Sequence, residues 1–100
     1  MIDFDRLSGF QWDDGNARKS ADKHDVSQSE AEQVFFNDPL LVVEDSLHSR
    51  HEPRCHALGI TNDGRKLHVT FTLREDGTKI RVISARDMHR KERSRYDQEA

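Results

Sequence analysis

Arg54, Arg74, Lys79, Arg81 and Arg86 stand at the ends of, or within, three short runs of alternating apolar and polar residues. Lys23, His24, Glu52 and Tyr96 add groups able to move a proton. Guanidiniums bind phosphate through two parallel hydrogen bonds and neutralise charge as it builds on a pentacovalent phosphorus. A set of this kind suits the attack of an RNA 2′-hydroxyl on its own phosphodiester, which needs in-line geometry, charge neutralisation and proton shuttling but neither metal nor cofactor. His24 and Glu52 are the candidate bases, and Lys23 and Tyr96 the candidate acids. Arg54, Arg74 and Arg81 are the candidates for the reacting phosphate, with Lys79, Arg86, Arg90 and Arg93 for neighbouring phosphates. The sequence contains no glycine-rich phosphate loop, which argues against nucleotide hydrolysis or kinase activity.

A second chemistry has to be weighed against that one. "HSRHEPRCH" places His48, His51, Cys55 and His56 within nine residues. All are competent zinc ligands, yet their spacing matches no standard site, and loop histidines are the expected reading. A Cys55-His56 nucleophile pair is disfavoured because neighbouring residues of a strand point to opposite faces. One cysteine cannot form an internal disulfide, and no apolar run approaches membrane-spanning length. The acidic start "MIDFDRLSGF" lacks the basic and apolar regions of a signal peptide, so a cytoplasmic protein is expected.

The elements that must position these groups are short. With 33% hydrophobic and 35% charged residues, the chain has apolar material for one thin core, and residues 1–100 are expected to form a single domain. Charge is polarised: residues 1–50 carry five Lys/Arg against eleven Asp/Glu, and residues 51–100 carry eleven against eight. A basic C-terminal half suits contact with phosphate. "GFQWD" reads as a brief strand, and Asp13 as the N-cap of a helix reaching about Lys23. Ser27 and Glu30 make a capping box for a second helix, Val26 and Ala31 have hydrophobic-staple spacing, and Asn37-Asp38-Pro39 stops it. Leu40 to Glu44 is a short apolar strand. Asp63-Gly64 and Asp76-Gly77 lie between strand-like runs and predict two-residue hairpins. A last helix is predicted from an Asp87 cap to about Gln98, with only Met88 and Tyr96 as large apolar residues.

Two-residue loops fix registers. Leu58 is expected opposite Val69, Ile60 opposite Leu67, Leu73 opposite Ile80 and Phe71 opposite Val82, all facing a core closed by the two N-terminal helices. The other face is expected to carry Cys55, Ala57, Gly59, His68, Thr70, Thr72, Arg74, Lys79, Arg81 and Ile83, with Arg86 pointing to the core side. The expected fold is α+β: two N-terminal helices on a mainly antiparallel four-stranded sheet, followed by a basic helix. Trp12 is expected to support the site structurally.

The set "FQWD" (Phe10 to Asp13), "KH" (Lys23-His24), "VSQSEA", "DP", "GR", "IRVISAR" (Ile80 to Arg86) and "ERSRY" (Glu92 to Tyr96) resembles the BrnT family over nearly the whole chain. That resemblance implies a RelE-like fold and the metal-independent ribonuclease toxin of a type II toxin–antitoxin module, lowering translation. It also implies a BrnA-like ribbon-helix-helix antitoxin, whose complex with the toxin would bind operator DNA through the antitoxin. Carried residue by residue, the family pattern falls on Trp12, Lys23, His24, Arg54, Arg81, Arg86 and Tyr96. The basic run from Arg90 to Arg95 is then either a track for RNA or a bed for an acidic antitoxin segment. Asn16 stands where the family has Lys, Ser20 where it has Asn, Asp25 where it has Gly and Pro53 where an acidic residue is common. Loss of the cation at position 16, together with the Asp25 departure, motivates an alternative: a weak or inactive toxin homologue that acts as an antitoxin-binding scaffold.

Overall fold

The computed structural model describes residues 2–48 and 52–99. Its sheet has five strands in the order β1-β5-β4-β3-β2, formed by β1 (Gly9–Phe10), β2 (Leu41–Glu44), β3 (Arg54–Ile60), β4 (Lys66–Arg74) and β5 (Lys79–Asp87). Four strands are antiparallel as expected, but β1 adds a fifth, parallel to β5, so the sheet is mixed. The helices are α1 (Lys19–His24), α2 (Gln28–Gln33) and α3 (Arg90–Glu99). No helix among the described residues is long and apolar enough to cross a membrane.

The capping signals act as read, with one displacement. Ser27 accepts from the Glu30 N–H and Glu30 accepts from the Ser27 N–H, while Val26 and Ala31 are buried. Asp25 ends α1 in the left-handed conformation at φ 55°, which a short polar side chain tolerates. Asp13, however, caps only a turn: its carboxylate accepts from the Gly15 N–H at 2.9 Å, and regular helix begins at Lys19. Asp87 caps nothing. It ends β5, and its carboxylate receives Arg65 instead.

Two corrections to register decide which side chains share a face. The first hairpin is not a two-residue loop. The Gly64 N–H donates to the Thr61 carbonyl at 3.0 Å, the Thr61 N–H donates to the Arg65 carbonyl at 2.9 Å, and Gly64 takes φ +87°. This is the three-residue loop in which Asn62-Asp63 form the turn and glycine the left-handed step. Strand β3 therefore slips by one, so that Leu58 pairs with His68 and Gly59 with Leu67. Cys55, Ala57 and Gly59 face the core, while His56, Leu58 and Ile60 face the other way. The second hairpin keeps the expected register from Arg74–Lys79 to Phe71–Val82, after which Thr70 pairs with Ser84. Ile83 is the extra residue of a β-bulge, and beyond it the strand reverses its faces. Arg86 consequently pairs with His68 and lies on the same face as Arg81, not on the core side.

The main core cluster lies on one face of the sheet. Cys55, Ala57, Leu67, Val69, Phe71, Ile80, Val82 and Ala85 pack against Val26, Ala31 and Val34, with Phe10, Trp12 and Phe35 at its border. Phe35 meets Phe71 edge-on at a centroid distance of 5.1 Å. A Cβ at Gly59 would fall 2.8 Å from the Val34 Cβ, so glycine is what lets α2 approach β3. The outer edge of β5 beyond β1 is covered by side chains: Asn16 donates to the Val82 carbonyl, and the Ala85 N–H donates to Ser20 Oγ. These two bonds occupy backbone groups that an open edge would leave unpaired.

Candidate active site

The opposite face of the sheet is partly covered by α3 and carries the cations. Arg54, Thr72 and Arg81 form one row across β3, β4 and β5, with Arg74 and Lys79 paired beside it. Arg81 and Arg74 each meet a carboxylate. Arg81 donates to both oxygens of Asp13, at 2.7 and 3.0 Å, and to Gln11 Oε1 at 3.1 Å. That bonding holds the Asp13 carboxyl below its ordinary range and raises Arg81 above its own. A Cβ at Gly15 would fall 2.9 Å from Arg81 Nη2, so the glycine admits the guanidinium to the turn. Arg74 pairs with Glu52 through Nη2 at 2.9 Å and Nε at 2.8 Å. Thr72 donates its hydroxyl to the Pro53 carbonyl, fixing the start of β3 against β4. What the row offers is a two-pronged guanidinium donor at Arg81, held by the two oxygens of the Asp13 carboxylate.

The next rows along the face are aromatic and apolar. His56 lies opposite Thr70 and Val43, and Leu58 lies opposite His68 and Leu41. His56 Nδ1 is 3.0 Å from Thr70 Oγ1 and Nε2 is 2.9 Å from Asp45 Oδ2, so both ring nitrogens are engaged within the protein. The His68 ring lies 5.0 Å from that of His56, and burial, followed by the Arg86 charge, lowers its pKa to about 4. Arg86 donates to both oxygens of Glu92, at 2.8 and 3.0 Å, and Glu92 also accepts from the His89 N–H. Burial works against the Glu92 carboxylate, but Arg86 and the His89 N–H outweigh it and bring the pKa down to about 2. Between these rows and α3 lies a cleft of about 370 Å³ lined by Leu41, Val43, His56, Leu58, His68, Lys91, Glu92 and Arg95.

The fold gathers some of the predicted residues and separates others. Arg54, Arg74, Lys79 and Arg81 come together, with Glu52 beside Arg74, and Arg86 stands farther along the same face. Lys23 and His24 do not join them. They end α1 near Asp87, where the His24 carbonyl accepts from Arg65, and six residues of β5 separate that point from Arg81, roughly 20 Å of strand. Tyr96 is 2% exposed and donates its hydroxyl to the Pro39 carbonyl at 2.7 Å. Arg90 and Arg93 are exposed on α3. Trp12 donates to Glu32 Oε2 at 2.7 Å and packs on the border of the core. Of the cysteine-histidine run, Cys55 is buried in the core and His56 turns to the other face, while His51 lies outside the described residues.

Several groups escaped the sequence reading. His56, Asp45 and Glu92 were not read as site residues, and His68 and Thr70 were placed on this face without a partner. Asn16 is also not a lost cation. It is 5% exposed, accepts from the Asp13 N–H at 2.8 Å and donates to the carbonyls of Gln11 and Val82 at 3.0 and 2.9 Å. It holds the turn that presents Asp13 to Arg81.

The model of a family described as the ribonuclease toxin, BrnT, of type II toxin–antitoxin systems matches residues 12–92, well over half of the chain. No curated protein matches it.

Proposed function

This chain belongs to the BrnT family of ribonuclease toxins of type II toxin–antitoxin systems, and from that premise we propose that it cleaves RNA at the Arg54–Thr72–Arg81 row without a metal ion. The observation that carries this reading is the bidentate pair of Arg81 with Asp13, a geometry that a phosphate can take over oxygen for oxygen. A phosphodiester on the row would have Arg81 on one side and Arg54 on the other as charge develops on its non-bridging oxygens. Glu52, one of the two candidate bases, is beside Arg74 at the end of this cluster and is the carboxylate we assign to the 2′-hydroxyl proton. Tyr96 and Trp12 support the fold around the site, and Lys23 and His24 act away from the reacting phosphate.

RNA cleavage of this kind lowers translation. The family implies an antitoxin partner, and we assign that role to a BrnA-like ribbon-helix-helix protein through which the complex binds operator DNA. The scaffold alternative is weakened by the two departures that motivated it. Asn16 is a buried hydrogen-bonding residue and Asp25 adopts the left-handed turn, so neither removes a group from the arginine face.

The test is cleavage of a defined RNA by the purified protein in excess EDTA. Wild type should cleave, and Arg81→Ala should lose about 100-fold or more in rate while its circular dichroism is unchanged. Full activity of Arg81→Ala, or no activity of wild type in EDTA that returns with added divalent ion, would overturn the mechanism.

A further inference from the structure

Phosphate binding at the arginine row leaves the neighbouring cleft without a role. His56 is two residues along β3 from Arg54 on the same face, a separation of about 7 Å. With Asp45 on one ring nitrogen and Thr70 on the other, His56 has no nitrogen to offer a ligand. What it presents is a ring, 32% exposed and clamped at both ends. Leu41, Val43 and Leu58 supply apolar walls, and Lys91 and Arg95 add cations on the α3 side. Glu92, the one acid in the lining, is already held by Arg86 and the His89 N–H.

We propose that this cleft takes an unstacked base of single-stranded RNA, stacked on His56, next to the phosphate held by the arginine row. The proposal rests on the ribonuclease reading and deepens it. A rigid aromatic platform with apolar walls and cations nearby is the combination that binds bases of single strands. An acidic peptide would use Lys91 and Arg95 but would leave the apolar floor and the imidazole face unmatched. A base fills them and brings flanking phosphates to the cations. Stacking reads size more than identity, so the site favours the larger face of a purine.

The experiment uses the full-length protein and a 2′-fluoro oligoribonucleotide, which lacks the attacking hydroxyl, with a single abasic position moved along it. Binding is followed by fluorescence anisotropy at fixed salt. For wild type, one abasic position should weaken binding about tenfold or more and the others much less. Val43→Trp fills the cleft from an edge strand where Val43 is 46% exposed, and should erase that dependence on position. His56→Phe should keep it and His56→Ala should lose it. Position-independent binding by wild type that still requires Arg81 overturns the base site and leaves the ribonuclease reading standing. The site is also overturned if His56→Phe behaves like His56→Ala, or if Val43→Trp binds RNA normally but no longer binds the antitoxin. Absence of RNA binding by wild type would overturn the ribonuclease reading first and the cleft with it.

Discussion

Replacing Asn16 by alanine should unfold this protein more readily than any loss of charge at that position would suggest. The amide makes three hydrogen bonds from a site that is 5% exposed. Its removal strands the Val82 carbonyl on the uncovered edge of β5, together with the Gln11 carbonyl and the Asp13 N–H. Only the Val82 bond is fully buried, so water will re-satisfy part of what is lost. An orphaned buried group costs about 1–3 kcal/mol and a partly wetted one less, which places the total at about 2–4 kcal/mol. For a domain of this size that lowers the melting temperature by roughly 10–25 °C. Lysine should be worse still in this chain, because it brings a charge into the same cavity without an acceptor for the Asp13 N–H. Urea unfolding followed by circular dichroism measures the difference, and cleavage per folded molecule is measured well below the new midpoint. The Ala variant should retain most of its activity when folded, since Asn16 acts through the turn. A stability change under about 0.5 kcal/mol, or a loss of folded-state cleavage equal to that of Arg81→Ala, would refute the assignment of Asn16 to the scaffold.

Two other perturbations separate structure from chemistry. His68 has its pKa lowered to about 4 by burial and by Arg86, against an ordinary 6.5, so the fold excludes a proton that the unfolded chain accepts. Stability is then intact above about pH 6.5 and falls as pH drops toward about 4, by about 2 kcal/mol between pH 8 and pH 5, and His68→Phe should flatten that slope in urea titrations. Parallel profiles for the two proteins would show that His68 does not carry the linkage. Glu92, held near 2, contributes a separate loss only below about pH 4.5. Tyr96→Phe removes one internal hydrogen bond and should cost about 1 kcal/mol of stability with the cleavage rate unchanged; a rate loss as large as that of Arg81→Ala would put the hydroxyl on the RNA.

Local signals in the sequence were read well where they rest on one or two residues, as in the Ser27–Glu30 capping box with Val26 and Ala31 buried beside it. The face assignment failed where it depended on counting. Asp63-Gly64 is compatible with a two-residue and a three-residue hairpin, and the choice is made by Thr61, whose backbone and hydroxyl both meet Arg65. That one-residue difference turns Cys55 inward and His56 outward, and it is why the histidine cleft could not be seen. The bulge at Ile83 is illegible for a related reason. Nothing in "IRVISAR" breaks the alternation, yet Asn16 and Ser20 hold the outer edge of β5 on either side of it at Val82 and Ala85. By contrast, the Arg74–Lys79 and Thr72–Arg81 pairs keep the register read from Asp76-Gly77, although the turn itself is wider: Glu75, Asp76 and Gly77 all take positive φ and the Thr78 N–H donates to the carbonyls of both Arg74 and Glu75.

The sequence also implied cations side by side that would repel one another unless a polyanion joined them. Asp13, Glu52 and Glu92 answer that difficulty from within the chain, one for each of Arg81, Arg74 and Arg86. The pairs are unequal. The Arg81 side chain is 15% exposed, bonded to Gln11 and seated against Gly15, whereas that of Asp13 is 56% exposed and tied otherwise to the Gly15 N–H. In the proposed mechanism an arriving phosphate would displace the carboxylate and meet a guanidinium already fixed, with little left to order on binding. Such an exchange also suits a chain whose formal charge is −3. Long-range attraction to RNA is weak for an acidic protein, so on the proposed reading selection of the nucleic acid would fall to contacts at the row itself and in the cleft beside it.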